Sequence, residues 1–110
     1  MADDTVLIRR KPQSFAYLFW INGPRRGDHA SLDTSGTTVG RGREAEVIID
    51  DETVSEEQAR LRYEDGQWYV YDLAATNRSM VSGQTIYRQP LTDGDHLTFG
   101  MTEMVFRVLK

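Results

Sequence analysis

Arg41 and Ser55 are the residues whose side chains could do chemistry together. Arg41 lies in the stretch VGRGRE, and Ser55 follows fourteen residues later in the acid-rich stretch DDETVSEEQARLRY. A phosphate monoester carries about −1.5 to −2 charges and three acceptor oxygens, so it needs a guanidinium fork and neutral hydroxyl donors. Arginine suits this role better than lysine, because its planar, always charged group can bond two oxygens at once. The pair predicts a phosphate pocket, provided that the fold brings both residues together.

The elements that must position these residues are short strands. After Pro12 the apolar residues alternate at period two, which is typical of strands. In the first strand, over residues 15–21, apolar side chains fall on both faces, so we expect it to be covered on both sides. The later segments are each four to seven residues long and read TTVG, VIID, ARLRY, QWYVYDL, MVSG, QTIYR, HLTFG and EMVFRVL.

Gly-containing pairs separate these segments and predict tight turns. They are Asn22-Gly23, Ser35-Gly36, Asp65-Gly66, Ser82-Gly83 and Asp93-Gly94. Asn-Gly and Asp-Gly favour type I′ hairpin turns, because both central residues of that turn need positive φ. Many short strands with regular turns and no long amphipathic helix indicate an antiparallel sandwich or barrel.

The segment after Ser55 also matches a helix start. Ser55 followed by Gln58 three residues later has the form of a capping box. The apolar residues that follow, Ala59, Leu61 and Tyr63, are however spaced by two, as in a strand. We therefore expect a strand here, preceded by at most one helical turn that the Ser55 hydroxyl could cap.

The order and spacing of several motifs resemble the forkhead-associated (FHA) domain family. The pattern of that family runs Gly-Arg, then Ser-x-x-His, then Asn-Gly-Thr and a second Asn-Gly, and closes on L-x-x-G-D-x-hydrophobic-x-x-G. The matching elements here are Gly40-Arg41, Ser55-x-x-Gln58, the run DLAATNRSMVSG at residues 72–83, and Leu91, Gly94-Asp95, Leu97 and Gly100. The resemblance covers about residues 15–108. It implies an all-β fold, an antiparallel β-sandwich of about eleven short strands whose loops at one end bind phosphothreonine peptides.

Roles for individual residues follow from this resemblance. Arg41, Ser55 and Thr76 match the residues that hold the phosphate, and Asn77 matches the residue that holds the peptide backbone beside it. Hydrogen bonds to a charged group contribute about 1.5–3 kcal/mol each. Several of them, less the cost of ordering a peptide, are compatible with micromolar affinity, about −8 kcal/mol.

Other positions are expected to support the loops or to determine which peptide sequences bind. The resemblance implies structural roles for Gly40, Gln58 and Gly83. We expect specificity beyond the phosphate to come from the loop surface near Arg43 and Arg78.

Four positions depart from the family pattern. Gln58 replaces histidine, and its amide can still donate and accept hydrogen bonds. Arg78 replaces glycine, which matters if the backbone there needs positive φ. Ser79 replaces threonine and Ser82 replaces the second asparagine, so both keep a hydrogen-bonding group but lose reach.

An acid pair directly follows the predicted phosphate-binding serine. Glu56 and Glu57 could repel a phosphate if they point toward it, and would matter little if they point to solvent. The alternative function is therefore a degenerate FHA scaffold that mediates phosphate-independent protein–protein interaction or self-association.

The residues present also suggest two alternatives, a metal site and a hydrolase. The repeated Gly-Asp-His at residues 27–29 and 94–96 could build a zinc or iron site if its strands were neighbours. A Ser-His-Asp hydrolase is conceivable, but there is no Gly-x-Ser-x-Gly elbow. We expect no catalytic residue, no metal and no cofactor.

Composition limits the remaining classes of function. The chain of 110 residues has a net charge of −4, which argues against binding nucleic acid through surplus basic residues. It has no cysteine and no apolar run long enough to cross a membrane, so we expect a cytoplasmic protein.

We expect a flexible N-terminal arm at residues 1–12 and one FHA-like domain at residues 13–110. Such a domain could be one module of a larger protein. Thr5 in the arm is either a phosphoacceptor that could occupy an FHA site or an ordinary terminal residue. The expected partner is a phosphothreonine-containing protein, namely a Ser/Thr kinase or its substrate.

Overall fold

The computed structural model describes residues 15–109, so the predicted arm at residues 1–12, with Thr5, lies outside the described residues. Within 15–109 the chain forms strands and turns, and no helix there could span a membrane. The strands are β1 Ala16–Trp20, β2 His29–Ser31, β3 Thr37–Gly40, β4 Val47–Ile48, β5 Ala59–Glu64, β6 Gln67–Asp72, β7 Met80–Val81, β8 Gln84–Thr85, β9 Arg88–Pro90, β10 His96–Phe99 and β11 Thr102–Val108. The expected count of about eleven short strands is confirmed.

The strands form two sheets that pack as a sandwich. One sheet has the order β2-β1-β11-β10-β7-β8 and the other the order β4-β3-β5-β6-β9. Every described pair is antiparallel except β3 with β4, where Val39 lies opposite Val47 in a parallel register. The predicted β-sandwich is therefore confirmed, with one parallel pair that the turn signals did not predict.

The core lies between the sheets and consists of their inward-facing apolar residues. Leu18, Leu61, Val70, Phe99 and Phe106 are fully buried. They come from five different strands of both sheets, as expected when period-two alternation turns one side of each strand inward.

Within residues 15–109, β1 is fully covered on one face and partly covered on the other. Its residues Ala16, Leu18 and Trp20 are buried, whereas Tyr17 and Phe19 on the other face are only partly buried. The rings of Tyr17 and Phe19 contact each other and His29 of β2, with centroid distances of 5.4–6.3 Å. Within the described residues, the partial cover on this face comes from contacts between aromatic neighbours on one sheet surface.

One strand was not predicted, and one predicted segment is divided between two strands. β2 has too few apolar residues to show alternation, so its sequence carried no signal. The predicted segment QTIYR is divided between β8, in the six-stranded sheet, and β9, in the five-stranded sheet. The buried Ile86 lies between them and anchors this crossing in the core.

Two of the predicted Gly-containing turns have the expected backbone. Asp65-Gly66 and Ser82-Gly83 each place both residues at positive φ, at 51° and 82° and at 50° and 81°. This is the requirement of a type I′ turn. Asn22-Gly23 differs, because only Gly23 has positive φ. The Asn22 side chain instead accepts a hydrogen bond from the backbone N–H of Glu103 and donates one to a carbonyl of the neighbouring hairpin.

The topology brings four connections to one end of the sandwich. β3, β6 and β10 run toward this end, while β5 and β11 run away from it, as their antiparallel registers require. The β3–β4 loop (41–46), the β4–β5 loop (49–58), the β6–β7 loop (73–79) and the β10–β11 turn (100–101) therefore meet there. These four connections carry the polar residues of the candidate site.

Candidate functional site

Arg41 begins the β3–β4 loop and lies beside Ser55 of the β4–β5 loop. The backbone N–H of Arg41 donates to the carbonyl of Ser55 at 2.9 Å, and Arg41 Nε donates to the carbonyl of Val54 at 2.9 Å. The Nε bond fixes the plane of the guanidinium, while its two terminal nitrogens have no partner among residues 15–109. The side chain is exposed, so these nitrogens are available to an anion.

Thr76 completes a cluster with these two residues. Its backbone N–H donates to Ser55 Oγ at 3.1 Å. A serine hydroxyl has one donor and two acceptor positions, so accepting this bond leaves the hydroxyl proton free to point outward. Thr76 itself is exposed. The structure thus brings the backbones of Arg41 and Thr76 into contact with Ser55, so the three residues that the motif comparison singled out are neighbours.

Asn77 lies next to this cluster and is held on two sides. Its Nδ2 donates to the carbonyl of Thr53 at 2.9 Å, and its own carbonyl accepts from Gln58 Nε2 at 2.8 Å. The residue is exposed, and its amide keeps a second N–H and its oxygen for a ligand.

Gln58 is the buried centre of the loop network. It is completely buried, and its Oε1 accepts from the Ser55 backbone N–H at 2.9 Å. Its Nε2 donates to the carbonyl of Asn77 and to Ser79 Oγ, while its backbone bonds to Val39 and Leu73. The bond to Ser55 is one half of the predicted capping box, although no helix follows. Gln58 thus links β3 and the two loops that carry the predicted phosphate ligands.

Gly40 is required by a close approach of two chain segments. A Cβ at this position would collide with the carbonyl oxygen of Glu56. Gly100, in the β10–β11 turn, is required for the same reason, because a Cβ added there would collide with Thr53. The loops can pack this tightly only because side chains are missing at these two points.

Asp72 supports the β6–β7 loop and was missed as a site residue in the sequence analysis. Its carboxylate, 1% exposed, accepts bonds from the backbone N–H groups of Ala75 and Ser79, from the Ser79 hydroxyl and from Arg78 Nε. Burial alone would raise the pKa of Asp72, but the Ser79 and Ala75 hydrogen bonds and the Arg78 charge outweigh it and lower the pKa. Asp72 ends a strand just before a loop, which is the only signal that could have identified it.

Arg78 also helps to hold the β6–β7 loop, and its guanidinium is already paired within the protein. Besides its bond to Asp72 at 3.0 Å, it donates to the carbonyl of Ile86 at 3.3 Å and stacks on the Tyr87 ring at 3.9 Å. Its φ is not positive; the left-handed residue of this loop is Ala74, with φ of 58°. Replacement of glycine by Arg78 therefore introduces no left-handed strain.

Thr53 ties the β4–β5 loop to the β10–β11 turn. Its hydroxyl donates to Asp51 Oδ1 at 2.6 Å and accepts from the Met101 backbone N–H at 2.8 Å. Asp51 also accepts from the Thr102 hydroxyl at 2.8 Å. Burial would raise the pKa of Asp51, but the bonds from Thr53 and Thr102 lower it. Asp followed two residues later by Thr is a known turn signal, which could have revealed this pair.

A groove opens beside the cluster. Its volume is about 530 Å³, and it is lined by Thr53, Thr76, Asn77, Arg78, Met80 and Met101, among others. A peptide whose phosphate bonds to Arg41 could continue along this groove past Asn77.

The remaining predicted residues lie around the cluster. Arg43 is exposed in the β3–β4 loop, and Gly83 occupies the β7–β8 turn outside the groove lining. Glu56 and Glu57 are also exposed, and within residues 15–109 neither carboxylate forms an ion pair.

The two Gly-Asp-His motifs do not meet. His29 lies on β2 and His96 on β10, and β1 and β11 separate these strands. The histidines are therefore about 14 Å apart, three strand spacings, which is too far to bind one metal ion. Among residues 15–109 no group of His, Asp and Glu has the geometry of a metal site.

Replacing Gln58 by leucine should destabilise the domain by about 3 kcal/mol, because the Ser55 N–H and the Asn77 carbonyl would lose their buried partner. Chemical denaturation measures the free energy of unfolding. Gln84→Leu, at an exposed position of β8, is the control and should change stability by less than about 0.5 kcal/mol. Equal effects of the two substitutions would contradict the role assigned to Gln58.

Replacing Asp72 by asparagine should cost about 2 kcal/mol or more at neutral pH, since a charged acceptor of several bonds is lost. The folded-state pKa of Asp72 is lowered, so its contribution is present above the unfolded pKa of about 3.9 and is lost as the pH falls through the folded value. Denaturation at several pH values should show the difference between wild type and variant shrinking below about pH 4. A difference independent of pH would contradict this.

Comparison with known proteins agrees with the fold. A profile of the FHA domain matches residues 37–100. The oxoglutarate dehydrogenase inhibitor of Corynebacterium efficiens is 34% identical over 95 residues, which is 86% of this chain and 67% of that protein. The glycogen accumulation regulator GarA of Mycolicibacterium smegmatis is 32% identical over the same length, 86% of this chain and 60% of that protein. The chain thus spans between 60% and 67% of the length of these relatives.

A solved structure has the same fold. It comes from work on phosphothreonine-dependent FHA domain interactions, and it superposes with a TM-score of 0.80 at 25% identity, covering 86% of this chain and 97% of that one. The profile match alone covers more than half of the chain. With its sandwich, its loop motifs and these relatives, the chain belongs to the FHA domain family.

Proposed function

We propose that this FHA domain is an interaction module that recognises phosphothreonine segments of signalling partners. Arg41 binds the phosphate through its terminal nitrogens, Ser55 and Thr76 donate their hydroxyl protons to it, and Asn77 holds the extended peptide backbone. Arg43 and the groove surface near Arg78 contribute to the choice of peptide. The similar structure described for phosphothreonine-dependent interactions supports the ligand class.

The observation that carries the proposal is the cluster that Arg41, Ser55 and Thr76 form at the mouth of a groove. The guanidinium and both hydroxyl groups are on neighbouring loops, and their own protein bonds leave donors available. A charge-assisted pocket of this kind suits a dianion better than a neutral or cationic ligand.

The acid pair beside Ser55 supports the phosphate-independent alternative only if its carboxylates face the ligand. Both side chains are exposed and make no ion pair within residues 15–109. Solvent-exposed charges are screened over about 8 Å at physiological ionic strength. Glu56 and Glu57 therefore weaken phosphate binding without abolishing it.

The partner is a Ser/Thr kinase or a substrate of one, and the domain acts in the cytoplasm without catalysis of its own. Two relatives are named as an inhibitor of an enzyme and as a regulator, which agrees with action through binding. An enzyme of metabolism is thus a suitable class of partner to test.

Arg41→Ala should weaken binding of a degenerate phosphothreonine peptide library by at least about 10-fold, or about 1.4 kcal/mol, because the phosphate loses its only guanidinium contact. Fluorescence anisotropy with labelled peptides measures the dissociation constant. Arg107→Ala removes a charge at the other end of the sandwich and should leave affinity unchanged. Equal losses in both variants would mean that only net charge matters.

Glu56→Arg in the same assay tests the acid pair. Tighter binding at low salt would mean that this carboxylate repels the ligand. If no phosphorylated library binds to the wild-type domain, the proposal fails and the phosphate-independent scaffold replaces it.

A further inference from the structure

A second groove lies at the end of the sandwich opposite the phosphate-binding loops. Its volume is about 540 Å³, within the range of ligand pockets in proteins. Its lining includes six apolar or aromatic residues: Phe15, Tyr63, Trp68, Leu91, Val108 and Leu109. We call this groove the terminal groove, because Phe15 and Leu109 lie at the two ends of the described chain.

The terminal groove exposes large apolar side chains. Phe15 is 39% exposed, Tyr63 37% and Leu109 54%. The rings of Phe15 and Tyr63 meet edge to face at 6.4 Å, and Tyr63 contacts Trp68 at 5.3 Å, so the exposed surface is continuous. A continuous exposed apolar surface in a groove usually indicates a binding site.

Trp68 gives a second indication that this surface is incomplete. It is 3% exposed, and its Nε1 is the one buried side-chain polar atom without a hydrogen-bond partner among residues 15–109. Buried donors nearly always have an acceptor.

The described residues begin at Phe15, which lines the terminal groove. The backbone N–H of Leu109 donates to the carbonyl of Phe15 at 2.7 Å, so residues 1–14 join the domain at this groove. They contain the apolar run Val6-Leu7-Ile8, followed by a polar link through Pro12. An extended link from Ile8 to Phe15 spans at most about 25 Å, which allows the apolar run to fold back across the groove.

A negative charge next to the groove is complementary to the positive charges of the N-terminal residues. The apolar run is followed directly by the basic residues Arg9-Arg10-Lys11. Asp65 is exposed in the turn beside the groove residues Gly66 and Gln67, and within residues 15–109 it forms no ion pair. Asp93 also lines the groove but already pairs with a neighbouring arginine, so Asp65 carries this part of the argument.

We propose that the terminal groove binds the chain's own N-terminal segment, with Val6, Leu7 and Ile8 in the groove and the basic residues beside Asp65. The binding covers the exposed rings of Phe15 and Tyr63. It uses neither the phosphate-binding loops nor a phosphate, so it does not depend on the function proposed above.

The test compares ¹H–¹⁵N spectra of the full chain with those of a Leu7→Asp/Ile8→Asp double variant. We expect the amide signals of Gly66 and Gln67 and the Trp68 indole signal to differ between the two proteins, since the segment leaves the groove in the variant. Amide hydrogen exchange at residues 6–8 should be slower by about 10-fold or more in the wild type. The conservative variant Leu7→Ile/Ile8→Leu is the matched control and should keep the wild-type spectrum.

A peptide of residues 1–12 added to the double variant should restore the wild-type groove signals. Identical groove signals in the wild type and the double variant would overturn the proposal. Signals that differ only at high protein concentration, with a doubled mass in solution, would also overturn it, because the groove would then hold the segment of a second copy.

Discussion

The hydrogen bonds of one buried amide, that of Gln58, determine the geometry of the site. This side chain joins the loop that carries Ser55 to the loop that carries Asn77 and Ser79, and its backbone joins both to β3. A buried amide whose bonds are all made is a stable link, and one left unpaired is costly. The positions of the proposed phosphate-binding residues therefore depend on a residue that is itself completely buried.

The sandwich and the polar network have separate tasks. The two sheets bury an apolar core and bring four connections to one end, but strand pairing alone does not fix the side chains of those connections. Two further residues add to the hydrogen bonds of Gln58. Asp72 accepts bonds from the β6–β7 loop, and Thr53 joins the β4–β5 loop to the β10–β11 turn. A pocket held in this way before the ligand arrives loses less conformational freedom on binding.

Most of the architecture could be predicted from the sequence, because period-two alternation and Gly-containing turns depend on local physics. Both residues of Asp65-Gly66 have the positive φ that their types suggest. The strand β2 and the parallel pairing of β4 could not be predicted, since short edge strands show no alternation. In the site, motif order singled out Arg41, Ser55 and Thr76. It missed Asp72, whose partners Ala75, Arg78 and Ser79 follow it in the β6–β7 loop, because motif order does not show that this carboxylate is buried beneath the loop. It also missed Thr53, because its bond to Met101 joins residues that are far apart in the sequence.

The most direct test measures the side-chain amide protons of Gln58 by NMR hydrogen exchange, without and with a phosphothreonine peptide. If the network holds the pocket ready, these protons exchange slowly in the free domain, and the peptide shifts the signals of Arg41, Ser55 and Thr76 while those of Gln58 stay in place. Fast exchange in the free domain, with protection appearing only when the peptide binds, would show that the ligand builds the pocket and would contradict this account.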